Sequence, residues 1–402
     1  MTRAETPIEL TIEKIVYSGK GLARHEGLVV FVPHVLPGER VLAEIVARHK
    51  RHADARLISV PDASPERTIP CCPLYGTCPG CVYQHARYSE EIRVKQAQLV
   101  NFLERTAAWQ DAVAVAEPVP SPLDIGYRNK IVLHTRAGTG AAPAVGYIGE
   151  DNQTLLDIAA CPLALPAINQ RLAELRSEPG FMNALPDGED LTLRHTVEDG
   201  TLIWIGERSP GKERLTEQSP WGPMRVPRRG FFQVNPALIP MLTEGVQTAL
   251  AAIKADTVVD LYCGSGLLSL AASHAGATRT VGVDIDERSI RFAEANTRKL
   301  GSGEQVFVAG RVHEQLPRIL NGLAQTRSAL IADPPRRGME KHVLDMIGTS
   351  ALPALLYVSC AADTLARDLN RLATFGFRLR SVRMFDMFPR TPYFESITVL
   401  SR

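Results

Sequence analysis

The sequence predicts an α/β fold: a doubly wound, mostly parallel sheet over residues 231–402, an OB-like β-barrel over 1–60, and a mixed central domain over 61–230. Three observations carry this. The runs "TVVDLYCGSG", "TRTVGVDID", "EQVFVAG", "SALIADPP" and "ALLYVSC" alternate with amphipathic stretches such as "ERSIRFAEANTRKLG", the pattern of parallel strands joined by helices. The first 60 residues hold short β-rich runs, "IELTIEKIVYSGKGLAR", "GLVVFVPHV", "ERVLAEIVAR" and "DARLISV", separated by turns, as in a small barrel. Sheet-like runs with turns, "GYRNKIVLHTRAG" and "AVGYIGE", fill the middle.

Bulk properties set limits. A chain of 402 residues makes about two to four domains. Hydrophobic content of 45% and charged content of 22% are ordinary for a chain with a large core. The net charge of +1 gives no whole-molecule attraction to a polyanion, so a nucleic-acid surface must be local. No run of about 18 apolar residues is present, so no membrane span is expected. "MTRAETPIELTIEK" lacks the apolar core of a secretory signal. The expectation is a cytoplasmic monomer with cysteines in a reducing compartment.

In chain order, "PDASPERTIP" at 61–70 reads as a linker. Cys71, Cys72, Cys78 and Cys81 follow, with Cys161, Cys263 and Cys360 far downstream. An odd, clustered set without a signal points to metal binding and catalysis rather than disulfides. Three close thiols and a remote one make a four-sulfur site, open to an iron–sulfur cluster or to zinc. "YSEEIRVKQAQLVNFLERTAAW" has helical spacing, and 88–117 is expected to pack on the carboxyl-terminal domain. "DLTLRHTVEDGTLIWIGER" reads as a hairpin around "EDG". "RLRSVRMFDMF" and "YFESITVLSR" read as two strands without a helix between them, an antiparallel edge.

The carboxyl-terminal strands end in chemistry. After "VVDL", Gly264 and Gly266 permit a tight turn and close ligand approach. No Gly-Lys-Ser/Thr follows, so this is not a Walker loop. Asp284 ends the next strand, where an acid accepts from ribose hydroxyls. The pairing suits a nucleoside cofactor without a pyrophosphate, such as S-adenosylmethionine. Asp333 opens "DPPRRG", where two prolines stiffen the loop. Cys360 ends another strand just before a helix, whose amino terminus is expected to lower the thiol's pKa. A thiolate beside a methyl donor can add to carbon 6 of a uracil and make carbon 5 nucleophilic. A base must then remove the carbon 5 proton so that the cysteine can leave. Glu395 is the candidate base, a carboxylate in an otherwise apolar strand. The plainer alternatives are a core cysteine and an exposed edge-strand acid.

"FFQVN", "DLYCGSG", "DPPRRG", "YVSC" and "FPRTPYFES", in this order, resemble the bacterial RNA uracil-5-methyltransferases of tRNA and 23S rRNA. The amino-terminal unit resembles a TRAM domain, and "CPLYGTCPGC" with the distant "ACPL" resembles the subgroup with a 4Fe-4S cluster. The resemblance implies a class I S-adenosylmethionine-dependent methyltransferase fold, Cys360 as nucleophile and Glu395 as base. It places Gln233 at the cofactor's methionine end, Tyr262 and the Gly264/Gly266 turn beneath it, and Asp284 at its ribose. Asp333 would lie between cofactor and uracil, and Arg336 near the target base. The cluster ligands would be Cys72, Cys78, Cys81 and Cys161, with Cys71 an adjacent alternative to Cys72. The chain departs from the family pattern at Leu267, where many relatives have Asn, at Pro79 within "CPGC", and at Asp284, where relatives often have Glu.

The implied partner is RNA, with 23S rRNA ahead of tRNA, offering a single-stranded or flipped-out uridine. Tyr127, Arg128 and Lys130 in "GYRNK" combine an aromatic with cations, as RNA stacking and phosphate contacts need. Arg228 and Arg229 in "PRRGFF" are further candidates. The non-enzymatic rival is an RNA-binding iron–sulfur scaffold.

Overall fold

Thr257–Leu261 is buried at every position, as are Ser328–Ala332 and Ala354–Ser359. Strands of this kind must be covered on both faces, and they form the middle of an eight-stranded sheet. The computed structural model describes residues 6–109, 113–138, 142–207, 213–323 and 327–402. Residues 1–5 of the amino-terminal segment, and Arg208 at the end of the hairpin reading, lie outside the described residues.

The sheet runs in the order Glu304–Ala309, Arg279–Asp284, Thr257–Leu261, Ser328–Ala332, Ala354–Ser359, Glu395–Ser401, Arg378–Phe385, Ala114–Val115. The first five are parallel. The last strand of the chain inserts antiparallel, with Ser396 opposite Ser359. Its beginning therefore meets the carboxyl ends of its parallel neighbours. The antiparallel pair is not the outer edge that the sequence suggested. Ala114–Val115 adds parallel to Arg378–Phe385 and takes that place, because the chain leaving the helix Tyr88–Leu103 returns along the open side.

Side chains alternate across the sheet with period two. Val259, Leu261, Leu330, Leu355 and Tyr357 enter one core. Val258, Ala329, Ile331, Leu356 and Val358 enter the other. The helix Tyr88–Leu103 lays Leu99 and Leu103 on the first. Its Lys95 Nζ lies 2.7 Å from both Glu91 and Asp386, with all three side chains fully buried. Arg390 joins this group through Glu91 at 3.3 Å and through Asp124. Among the described helices, Pro236–Ile253 alone has the length and composition to cross a membrane, with a mean hydropathy of 1.2. Its Leu242, Val246 and Leu250 instead pack on the second core.

The first region forms a six-stranded sheet from Ile8 to Asp62. Leu10, Ile12, Val30, Val32, Val41 and Ala43 share one core, to which Tyr83 and Val94 of later segments contribute. Arg67 binds Glu39 through two contacts of 2.6 and 2.7 Å, fastening the linker to this unit. The central region holds a five-stranded sheet. The strands around "EDG" pair antiparallel in it, Leu191 opposite Ile205.

Candidate active site and cysteine pocket

The parallel strands deliver Tyr262, Asp284, Asp333 and Cys360 to one edge of the sheet, and the inverted last strand begins there with Glu395. The turn after Leu261 is conformationally demanding. Gly264 and Gly266 have φ of 53° and 87°, and Tyr262 has φ of 64°. A non-glycine residue in that region costs about 1–3 kcal/mol, a strain found at functional sites. A Cβ at Gly266 would meet Ala293 Cβ at 3.2 Å. Gly264 N–H donates to Asp284 Oδ2 at 2.9 Å, and Asp286 N–H to Asp284 Oδ1 at 2.9 Å. These two bonds fix the carboxylate and leave each oxygen able to accept again.

Beside them lies a cavity of about 270 Å3 lined by Tyr262, Asp284, Ile285, Val312, Pro335 and neighbours. Ile285 is 68% exposed, an apolar face next to an acid. The pairing offers an apolar surface for a flat ring beside a carboxylate that can accept from hydroxyl groups. Gln233 is buried and lies outside this cavity wall. Its backbone carbonyl accepts from Asn129 Nδ2 at 3.4 Å. Leu267 is buried among Phe232, Ile239 and Leu270, so Leu267 serves packing here.

The loop Asp333–Gly338 is tied to the helix Ala362–Ala373 that follows the thiol. Thr364 Oγ1 donates to Arg336 O at 2.9 Å, and Arg367 to Arg337 O at 2.8 Å. Arg336 stacks its guanidinium on the Tyr393 ring at 3.8 Å. Its charge is felt by both Cys360 and Glu395. Glu395 is 4% exposed, and its Oε2 has no hydrogen-bond partner. Burial, then the neighbouring Asp333, hold its pKa well above the usual carboxylate range. Burial likewise lifts Asp333 to about 7.

Cys360 corrects the sequence reading. Its thiol is pushed up to about 12, first by burial and then by Glu395 and Asp333, with Arg336 opposing. Two carboxyls and a low-dielectric wall outweigh the helix terminus. One residue was missed altogether. Tyr17, from the amino-terminal sheet, accepts a hydrogen bond at 3.2 Å from Ala362 N–H, two residues past the thiol. Its ring packs edge-on to Phe394 at 6.1 Å, next to Glu395. The contact spans 345 positions, so no local pattern announces it.

Two of the RNA-contact assignments are also corrected. Tyr127 is 1% exposed and donates to Pro389 O at 3.0 Å, so it presents no face for stacking. Arg228 is buried with its guanidinium over Trp204. Arg128 forms part of the cysteine pocket wall. Lys130 is half-buried, and burial lowers its pKa.

That pocket encloses about 370 Å3 and is lined by Cys72, Cys78, Cys81 and Cys161, with Leu74, Ile148, Ile158 and Leu163. Cys71 is exposed and outside the lining. Burial raises the thiols of Cys72 and Cys78, and that of Cys81 to about 12. Four thiols around one pocket make a donor set that either a tetrahedral zinc or an iron–sulfur cluster can use.

The family model for tRNA (uracil-5-)-methyltransferase matches residues 223–402, and that for the TRAM domain matches residues 6–58. An uncharacterised RNA methyltransferase of Thermosynechococcus vestitus is 30% identical over 98% of both chains. The 23S rRNA (uracil(1939)-C(5))-methyltransferase RlmD of Acidithiobacillus ferrooxidans is 29% identical over 98% of both. The crystal structure of Pyrococcus abyssi tRNA (uracil-54, C5)-methyltransferase, in complex with S-adenosyl-L-homocysteine, superposes with a TM-score of 0.75 at 22% identity. It covers 98% of this chain and 100% of that one. These matches span the carboxyl-terminal sheet and the amino-terminal TRAM domain alike: the chain belongs to the RNA uracil-5-methyltransferase family.

Proposed function

We propose that this enzyme methylates carbon 5 of a uridine in 23S rRNA through a covalent bond between Cys360 and carbon 6 of the base. The observation that carries this is the orphaned, buried Glu395 Oε2 in the charge cluster with Cys360, Asp333 and Arg336. A buried carboxylate oxygen without a partner is costly, and a reacting base would supply its proton.

Tyr262, Gly264, Gly266 and Asp284 would hold S-adenosylmethionine, which supplies an electrophilic methyl group when bound. Asp333, whose carboxyl is lifted to about 7 by burial and whose charge reaches Cys360, would take the thiol's proton. The Cys360 thiolate then bonds to carbon 6, and the ring's π electrons move toward oxygen 4, where Arg336 offers a cation. Carbon 5 would then be the nucleophile toward the methyl group, whose bond to the sulfonium breaks and leaves the cofactor as its thioether. Glu395 removes the carbon 5 proton, the double bond re-forms, and the carbon–sulfur bond breaks. Glu395 acts once it is ionised, and its raised pKa then makes it a stronger base than an exposed carboxylate.

In this reading residues 1–60 contact RNA, 61–230 hold a 4Fe-4S cluster on Cys72, Cys78, Cys81 and Cys161, and 231–402 perform the transfer. The Acidithiobacillus relative supports 23S rRNA as substrate. Mapping 5-methyluridine in total RNA from a strain lacking the gene tests it. One 23S position should lose the mark and regain it with the wild-type gene but not with Cys360→Ala. Loss from tRNA alone would overturn the substrate, and full methylation by Cys360→Ala would overturn the mechanism.

A further inference from the structure

Two residues that line the cysteine pocket carry buried side-chain N–H groups with no oxygen or nitrogen acceptor. Gln84 is 4% exposed and lines the pocket. Its Oε1 accepts from Cys72 N–H at 3.0 Å, which fixes the orientation of the amide. Its Nε2 is buried and has no oxygen or nitrogen acceptor; the amide instead reaches the Cys81 sulfur, where it favours the thiolate. Arg128 is the only Arg or Lys in the lining, and its Nε is also buried and unpartnered. A third donor, the Tyr147 hydroxyl, lies against the Cys161 sulfur. The lining contains no carboxylate.

Native structures seldom leave buried donors orphaned, and each one calls for an explanation. Neutral thiols are weak acceptors. Four thiolates around an iron–sulfur core are different, because they carry net negative charge and accept N–H bonds that set the centre's potential. We infer that Gln84 and Arg128, with Tyr147, are donors held in place for the sulfurs of a negatively charged, thiolate-ligated centre, and that they set its redox potential and its resistance to oxygen. This rests on the cluster reading above. It assigns Arg128 to the centre rather than to RNA.

The physical consequence has a sign. Reduction adds negative charge, so removing a cation or a donor disfavours the reduced form. Gln84→Met and Arg128→Met keep length and apolar bulk and remove the donors. Arg128→Lys keeps the charge and removes the fixed Nε–H. Each protein is purified without oxygen and assayed for iron and sulfide, for reduction midpoint, and for the rate at which visible absorbance bleaches in air. The wild type should carry a cluster. Both Met variants should keep it, with a lower midpoint and faster bleaching, and the double variant should shift further. Arg128→Lys should fall between wild type and Arg128→Met. If the wild type carries no iron and sulfide, the cluster reading fails. If it does and all variants match it in midpoint and bleaching, the donor role fails while the cluster stands. Should a Met variant not fold, an Arg128→Lys protein indistinguishable from wild type would also overturn the inference.

Discussion

Replacing Glu395 with Gln should separate the two halves of the reaction. The amide is nearly the same size, so the packing around a residue only 4% exposed is preserved. What is lost is the base. Removing a general base costs about 10²- to 10⁴-fold, equivalent to about 3 to 5 kcal/mol. The loss should fall toward the lower end of that range. Asp333 stands in the same charge cluster with a carboxyl near 7 and can stand in for part of the base function. Addition of Cys360 to the uracil and methyl transfer do not need Glu395, so the methylated adduct should accumulate. The assay is denaturing electrophoresis of enzyme mixed with substrate RNA and methyl-labelled cofactor. Glu395→Gln should give a labelled protein–RNA band, and the double variant with Cys360→Ala should not. Residual release from the adduct should rise between pH 6 and 8, as Asp333 loses its proton. Wild-type turnover by Glu395→Gln, or loss of methylation without any adduct, would refute the reasoning.

Other expectations follow from single contacts. Tyr17→Phe removes the acceptor for Ala362 N–H, so it should cost about 1 kcal/mol of stability and slow adduct formation in single-turnover experiments while RNA affinity is kept. Lys95→Met leaves Glu91 and Asp386 buried without their shared cation and should destabilise the fold by about 3–5 kcal/mol, measured by urea denaturation. Alkylation of Cys360 by iodoacetamide should be slow at pH 7 and rise steeply toward pH 12, because the thiol is raised to about 12. Arg336→Met removes the charge that lowers that value and should slow alkylation at each pH below it.

The strand ends were legible because their signals are local. "VVDLYCGSG" and "LIADPP" each put apolar residues, a turn and an acid within ten positions, and the parallel fold aligns such ends on one edge. The environment of the thiol was not legible. The effect of a helix terminus can be read from sequence, but Asp333 and Glu395 reach Cys360 from separate strands. Tyr127 misled for a related reason. Between Gly126 and Arg128 it looks like an exposed aromatic, yet Pro389, 262 positions away, accepts its hydroxyl and buries it. The cysteines were easily found, whereas the Gln84 amide that sits among them has no motif.

The Lys95–Glu91–Asp386 group bears on how this protein can be taken apart. Asp386 and Arg390 belong to the segment matched by the methyltransferase family, while Lys95, Glu91 and Asp124 lie upstream of it. A gene fragment encoding residues 223–402 alone would leave Asp386 and Arg390 without Lys95, Glu91 and Asp124, would uncover the apolar surface on which Leu99 and Leu103 pack, and the Ala362 N–H would lose Tyr17. The catalytic segment is therefore not a portable cassette. Any recombination joining it to a different front end has to replace Asp386 and Arg390 in the same event, or bring a lysine and two acids to the same places.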